Sequence, residues 1–202
     1  MKNCKRIILI LLFISISLLL FAQAPDWQWV TQAGGNLSYA IAIDDNEYSY
    51  VTGFFFGNAI FGSYSLTSSG SGDIFVAKMD ANGNWLWATK AGGNYYDTGN
   101  GIAIDDNGNS YIIGHFVYTA TFSSYSLTSS GSADIFVAKM DAYGNWQWAG
   151  KAGGTNGDEG YAITIDEVGN SYVTGSFRET AVFGSYSLTS SGEWDIFVAK
   201  MD

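Results

Sequence analysis

The sequence predicts an all-β chain built from repeated four-stranded antiparallel sheets, and three observations carry that reading. The segment DIFVAKMD occurs at Asp73–Asp80, Asp134–Asp141 and Asp195–Asp202, 61 residues apart both times. The segments IAIDD (41–45), IAIDD (102–106) and ITIDE (163–167) keep the same step, as do the three YSLTSSG segments. A fixed period of this kind marks a repeat architecture. Within each period, short β-branched and aromatic runs alternate with Asn/Gly/Asp turns, the pattern of hairpins. Finally, the chain has a single proline, Pro25, ahead of the first repeat, so nothing interrupts sheet pairing after it.

The elements follow in order. Lys2, Lys5 and Arg6 precede an apolar run from Ile7 to Phe21, broken only by Ser15 and Ser17, and Ala22-Gln23-Ala24 supplies small residues. That order is a secretory signal peptide over 1–22, with cleavage after Ala22 preferred over Ala24; an uncleaved anchor is the alternative. This run of fifteen residues falls short of the roughly 20 that a bilayer-spanning helix needs. Repeats then fill 26–202: a strand d at 27–33, a unit at 39–91, a unit at 101–152 and a partial unit at 162–202. In the central unit the strands are a (102–105), b (110–116), c (134–140) and d (145–152). The Ser/Thr-rich stretch 118–133 between b and c is an extended loop or a small outlying hairpin.

One such sheet would leave a face of Trp, Ile and Phe in water. Stacking sheet on sheet removes it, at about 25 cal/mol per Å² of apolar surface. Four-stranded meanders repeated radially make a β-propeller, normally of 4–8 blades. The expected fold is therefore a β-propeller-type array with about three blades and an incomplete ring. The first unit has three residues fewer than the others between Gly35 and Ile41. Strand d stands alone at the start, and strands a, b and c stand without a d at 162–201. This phasing predicts a piece of a longer protein with further repeats, next a second chain that closes the ring, and last a genuine three-blade object.

The succession DIFVAKMDANGNWLWATKAGG followed by DTGNGIAIDDNGNSYIIGHF resembles the seven-bladed β-propeller (SBBP) repeat family of secreted bacterial proteins. The resemblance runs through every strand of 26–202. It implies a propeller and an extracellular setting, and no particular activity.

Without Cys4, which precedes the apolar run, the mature chain has no cysteine for disulfides or thiolate metal sites. Taking Lys2, Lys5 and Arg6 from the nine basic residues leaves six against nineteen acids, a net charge near −13. Nucleic acid and anionic membranes are bound chiefly through Lys and Arg, so both are excluded as partners, with no membrane insertion after signal cleavage. The acidity suits solubility in a secreted, extracellular or cell-surface setting.

The candidate chemistry is thin. The turns Asp44-Asp45, Asp105-Asp106-Asn107 and Asp166-Glu167 offer oxygens suited to Ca²⁺. Asp, Asn and Gly are also what tight turns use, and the spacing is not that of an EF-hand; the turn reading is preferred, and Glu47 stands where the other turns have glycine. Asp73, Asp134 and Asp195 open strand c and are expected to organise the loop before it. Asp97 and Asp158 recur ahead of strand a, which suits repeated scaffolding better than one asymmetric glycosidase pair. His115 aligns with Phe54 and Ser176 and is expected to be a partly exposed strand residue. The glycine pairs at 34–35, 92–93 and 153–154 are expected to be bends leaving strand d, and Lys78, Lys139 and Lys200 to be solvent-facing or ion-paired. Neither catalytic residues, a metal site nor a cofactor is expected. Tyr64, Tyr125 and Tyr186, each opening a Tyr/Ser/Thr segment, are the candidates for binding a protein or glycan partner, since tyrosine offers a flat apolar face with a hydroxyl. Two functions follow: an exported, noncatalytic module for binding, adhesion or scaffolding, or the scaffold part of a larger secreted enzyme with its catalytic residues elsewhere.

Overall fold

The computed structural model describes residues 25–35 and 37–202. The leader read at 1–22 lies outside them. Every regular element among the described residues is a strand. The first blade comprises β1 (Leu37–Ile43), β2 (Ser49–Phe55), β5 (Asp73–Met79) and β6 (Trp85–Ala91), in the order β1-β2-β5-β6, with β3 (Asn58–Phe61) and β4 (Tyr64–Thr67) as a separate hairpin. The second contains β7 (Thr98–Ile104), β8 (Ser110–Phe122), β9 (Tyr125–Met140) and β10 (Trp146–Gly154). The third contains β11 (Glu159–Ile165), β12 (Ser171–Phe177) and β15 (Asp195–Met201), with β13 (Thr180–Phe183) and β14 (Tyr186–Thr189) as its hairpin. All ladders between these strands are antiparallel, and the whole fits an incomplete β-propeller.

The strands differ from the expected bounds in three ways. Strand a of the second unit starts at Thr98, not at residue 102, with a bulge between Gly99 and Gly101. Those glycines hide a strand from any propensity argument, but the packing requires them: a Cβ on Gly99 would meet Thr52 and Ile74 of the first blade. The 118–133 stretch is a hairpin in every unit. In the second it is continuous with β8 and β9, so that Phe122 pairs with Tyr125. Residues 27–33 form no ladder, because no strand c lies beside them. Trp27 is 90% exposed for the same reason.

The middle sheet has six strands, in the order β14-β13-β10-β9-β8-β7, since the third unit's hairpin adds to the end of β10 at Gly153↔Val182 and Gly154↔Ala181. The equivalent contacts are Gly34↔Ile60 and Gly92↔Thr121. The glycine pairs are therefore more than bends. Each seats the next unit's hairpin as a strap, Thr121 N–H donating to Gly92 O at 3.0 Å and Gly92 N–H to Thr121 O at 3.2 Å. A Cβ on Gly93 or Gly154 would collide with the carbonyl of Thr119 or Thr180.

The core lies between sheets. Ile74 and Val76 of the first blade sit with Ile102, Ile112, Phe136 and Trp146 of the second. Ile135 and Val137 sit in the same way against Val173 and Phe197 of the third. In the first two blades the hairpin aromatics cap this layer edge-on, Phe122 against Trp146 at 5.0 Å and Phe61 against Trp85 at 5.1 Å. Such edge-to-face pairs add about 0.5–1.5 kcal/mol beyond the area they bury.

Candidate recognition surface

Antiparallel pairing sorts the loops to two ends of each blade. The a–b and c–d turns lie at one end; the start of a, the end of b and the start of c lie at the other.

The first end is repetitive. Asp105 accepts hydrogen bonds from Asn107 N, Asn109 N and Asn109 Nδ2 at 2.8–3.0 Å, and Asp80, Asp141 and Asp166 hold their turns similarly. Hydrogen bonds from Asn84 and Asn170 keep the Asp80 and Asp166 carboxyls below their ordinary range. Glu47 adopts φ 62°, where the equivalent turns have Gly108 and Gly169. Beneath each a–b turn an Asp–Tyr–Lys set recurs. Tyr50 Oη donates to Asp44 at 3.1 Å, and Lys78 Nζ lies 4.6 Å from the Tyr50 ring and 3.9 Å from Asp44. Tyr111 with Lys139, and Tyr172 with Lys200, repeat it. Lys78 is buried and ion-paired, and desolvation lowers its pKa. The tyrosines of this set went unsingled in the sequence, although their six-residue spacing from the turn aspartate is constant.

Between blades, buried carboxyls flank a glycine. Asp73 accepts from Ser69 N at 2.9 Å and pairs with Lys90 at 2.9 Å; Asp134 does so with Ser130 N and Lys151. Asp195 accepts from Ser191 N, so all three organise the loop before strand c as expected. Asp97 accepts from Gly93 N at 2.7 Å and Val117 N at 3.1 Å, and Asp158 from Gly154 N and Arg178 N. A Cβ on residue 92 would lie 2.9 Å from both Asp73 Oδ1 and Asp97 Oδ2. Burial, with Asp73 adding repulsion, raises the Asp97 pKa to about 7, and burial raises that of Asp158. Asp73, Asp97, Asp134 and Asp158 are all fully buried, so none faces a substrate-accessible space. They join strand d, the strap and the next strand a into one unit.

Tyr64, Tyr125 and Tyr186 open the second strand of each outer hairpin, opposite Phe61, Phe122 and Phe183. Their exposure rises along the chain: Tyr64 is half-buried, Tyr125 is 36% exposed and Tyr186 76%. They lie on three separate blades, and no contact joins them in one site.

The other end of the blades breaks the repetition. Strand a begins with Leu37, Thr98 or Glu159, and its cross-strand partners are Phe54, His115 and Ser176. These six side chains differ wherever the scaffold repeats, and aromatic residues connect them. Tyr39 lies 5.7 Å from Phe54, Phe54 4.9 Å from Tyr96, and Tyr96 6.0 Å from His115. On the third blade Tyr161 Oη donates to Glu159 Oε2 at 3.0 Å and lies 2.9 Å from Ser176 Oγ. Arg178 stacks over Trp194 at 5.2 Å. Burial lowers the His115 pKa, opposed by Glu159. His115 is partly exposed, as expected, but its unlike equivalents are the informative feature: they mark a surface that scaffolding does not constrain. Comparing columns across the three units exposes it in the sequence.

Two stretches, 86–115 and 147–176, match the model of the SBBP β-propeller repeat. Each runs from strand d through the Gly-Gly seat and the buried aspartate to strand b of the next blade. Over 159 residues the chain is 29% identical to an uncharacterised WD repeat-containing protein of Acanthamoeba polyphaga mimivirus, covering 68% of this chain and 11% of that protein. It is 28% identical to the regulatory protein FlaEY of Caulobacter vibrioides over 134 residues, 64% of this chain and 14% of that protein. The chain thus spans a small part of the length of the relatives it matches. Sheet order, straps and the two matched stretches agree: the chain carries SBBP β-propeller repeats at 86–115 and 147–176.

Proposed function

We propose that this repeat module is an exported, noncatalytic binding and scaffolding device that works at the cell surface, recognising a protein or glycan through one end of its blades. The observation that carries this reading is the distribution of difference among the repeats. Where residues hold turns, straps and cores they recur every 61 positions; at the Leu37/Thr98/Glu159 end they diverge into aromatic, hydroxyl, carboxylate and imidazole groups. A scaffold needs equivalent residues in every unit, whereas one ligand spanning unlike blades needs different ones. Tyr125 and Tyr186 supply a second, repeated set of contacts, and repetition raises avidity without new contacts. The charged start and apolar run of 1–22 motivate export.

A glycan array probed with the purified chain tests the reading. Binding should fall at least tenfold in Tyr39→Ala/Tyr161→Ala, and less in Tyr64→Ala/Tyr125→Ala/Tyr186→Ala. Retention of full binding by both sets on unchanged circular dichroism refutes recognition through these surfaces. A chain that stays in the cytoplasm with residues 1–22 intact by mass spectrometry refutes export. The small share of the relatives' length that the chain covers favours one second reading, in which the module carries an enzyme whose catalytic residues lie outside these repeats. Hydrolytic activity in the purified chain would overturn both.

A further inference from the structure

The junction between the first two blades carries an aromatic surface that the next junction lacks. Both of these blades have all four strands, and the loop joining β6 to β7 crosses between them with Tyr95 and Tyr96 side by side. Tyr95, 49% exposed, lies 4.5 Å from Tyr118, ring centroid to ring centroid, with the two planes inclined at 49°. Tyr118 is 55% exposed and occupies the bulge between Val117 and Thr119 on β8. Tyr96 packs against Phe54 at 4.9 Å and Phe56 at 6.2 Å, and Phe56 is 44% exposed. The Phe56 and Tyr96 rings rest on Gly72, where a Cβ would lie 2.9 and 3.1 Å from them.

The repeat itself does not require these rings. At the second junction the equivalents of Phe56, Tyr95, Tyr96 and Tyr118 are Val117, Asn156, Gly157 and Glu179, and Ala133 replaces Gly72. The strap and the hydrogen bonds to the buried aspartate are nevertheless built there in the same way. Tyr118 also works against the fold. Its φ of 60° is a left-handed conformation that suits its first-blade counterpart Gly57, at φ 58°, and burdens a bulky residue. Strain of this kind gathers at sites of function, and here it holds an exposed ring in place.

We infer that this junction is a carbohydrate subsite for a neutral pyranose chain, an assignment that rests on reading this end of the blades as a recognition surface. The negative face of each tyrosine ring attracts the C–H bonds of a sugar, and the rigid ring gives contact area for little lost side-chain freedom. Asn94 and Thr119, exposed beside Tyr95 and Tyr118, offer an amide and a hydroxyl to the sugar's own hydroxyls. Charge selects a neutral ligand. None of these residues is Lys or Arg, Lys90 on β6 is engaged by Asp73 and Ser69, and the acidic chain repels uronic or sulfated sugars.

Isothermal titration calorimetry of the purified chain with cellohexaose, chitohexaose, heparin and polyproline separates the ligand classes. At least one of the two neutral hexaoses is expected to bind, and heparin to give no heat. Tyr95→Ala/Tyr118→Gly should weaken that binding by about tenfold or more. Tyr118→Gly alone should weaken it while leaving the urea midpoint unchanged or higher, because glycine relieves the left-handed φ. Asn156→Ala/Glu179→Gly, at the same positions of the second junction, should bind as the wild type does. Hexaose binding that survives Tyr95→Ala/Tyr118→Gly, or a midpoint lowered by Tyr118→Gly, overturns the assignment. Silence from both hexaoses also overturns it, whether or not heparin or polyproline binds; recognition through this end of the blades then stands or falls separately, on the glycan array with Tyr39→Ala/Tyr161→Ala.

Discussion

Neutralising one buried carboxyl should change how the stability of this chain depends on pH. Asp97 is wholly buried, receives two backbone N–H groups and faces Asp73 across Gly92. Its pKa is raised to about 7 from an ordinary 3.8. The folded state therefore binds this proton more tightly than the unfolded state. Stability from it is fully present below about pH 4 and is lost as pH rises through about 7. Each tenfold difference in proton affinity is worth about 1.4 kcal/mol, so the full swing is about 4 kcal/mol. Asp158 adds a contribution of the same sign. Asp80 and Asp166 act oppositely: their lowered pKa values stabilise the fold above about pH 4 and lose that effect in more acidic solution. Urea unfolding from pH 3 to 9 should show maximum stability near pH 5 and a decline toward pH 8. Asp97→Asn keeps a neutral, similarly shaped group, and should reduce that decline to the part Asp158 supplies. A wild-type stability that is flat or rising between pH 5 and 8, or an Asn variant with the full decline, refutes the reasoning.

Other changes test the local physics. Glu47 holds a left-handed φ of 62° that costs a side-chain-bearing residue about 1–2 kcal/mol, so Glu47→Gly should raise the urea midpoint by about 1 kcal/mol of stability. Gly153→Ala puts a Cβ 2.8 Å from Asp134 Cγ at φ 147°, and should cost about 3 kcal/mol in the same assay. Phe122→Ala removes a fully buried ring against Trp146 and Phe136, and should cost about 3–5 kcal/mol with a change in tryptophan emission.

Much of the fold is legible in the residues because repetition turns one local pattern into three. The run Asp-Ile-Phe-Val-Ala-Lys-Met reads as strand c wherever it occurs, and the Asp-x-x-Gly-Asn turn reads as its hairpin because glycine at the left-handed position needs no special context. Where the sequence misleads, glycine is again involved. The β7 strand begins among Gly99 and Gly101, residues that argue against a strand until Thr52 and Ile74 of the neighbouring blade are seen filling the space a side chain would need. The Gly-Gly seats look like bends, since nothing local says that a hairpin from the next unit will lie across them. Lys78, expected to be solvent-facing or ion-paired, is paired with Asp44, and its burial between Tyr48 and Tyr50 is what the sequence does not show.

The surface follows the same division. Tyr64, Tyr125 and Tyr186 stand out in the sequence because they repeat, but the structure sets them on separate hairpins with unequal exposure. The Tyr39–Phe54–Tyr96–His115 chain passes unnoticed because its members are far apart in sequence and come together only when strands a and b of adjacent blades, with the Tyr96 loop, pack side by side. The amino-acid sequence by itself determined the period, most of the strands and the turns, which rest on interactions within a few residues. Tertiary structure alone decided which glycines are strap seats, which carboxyls are buried in pairs and which unlike residues share one surface, because those depend on how closely one sheet approaches the next.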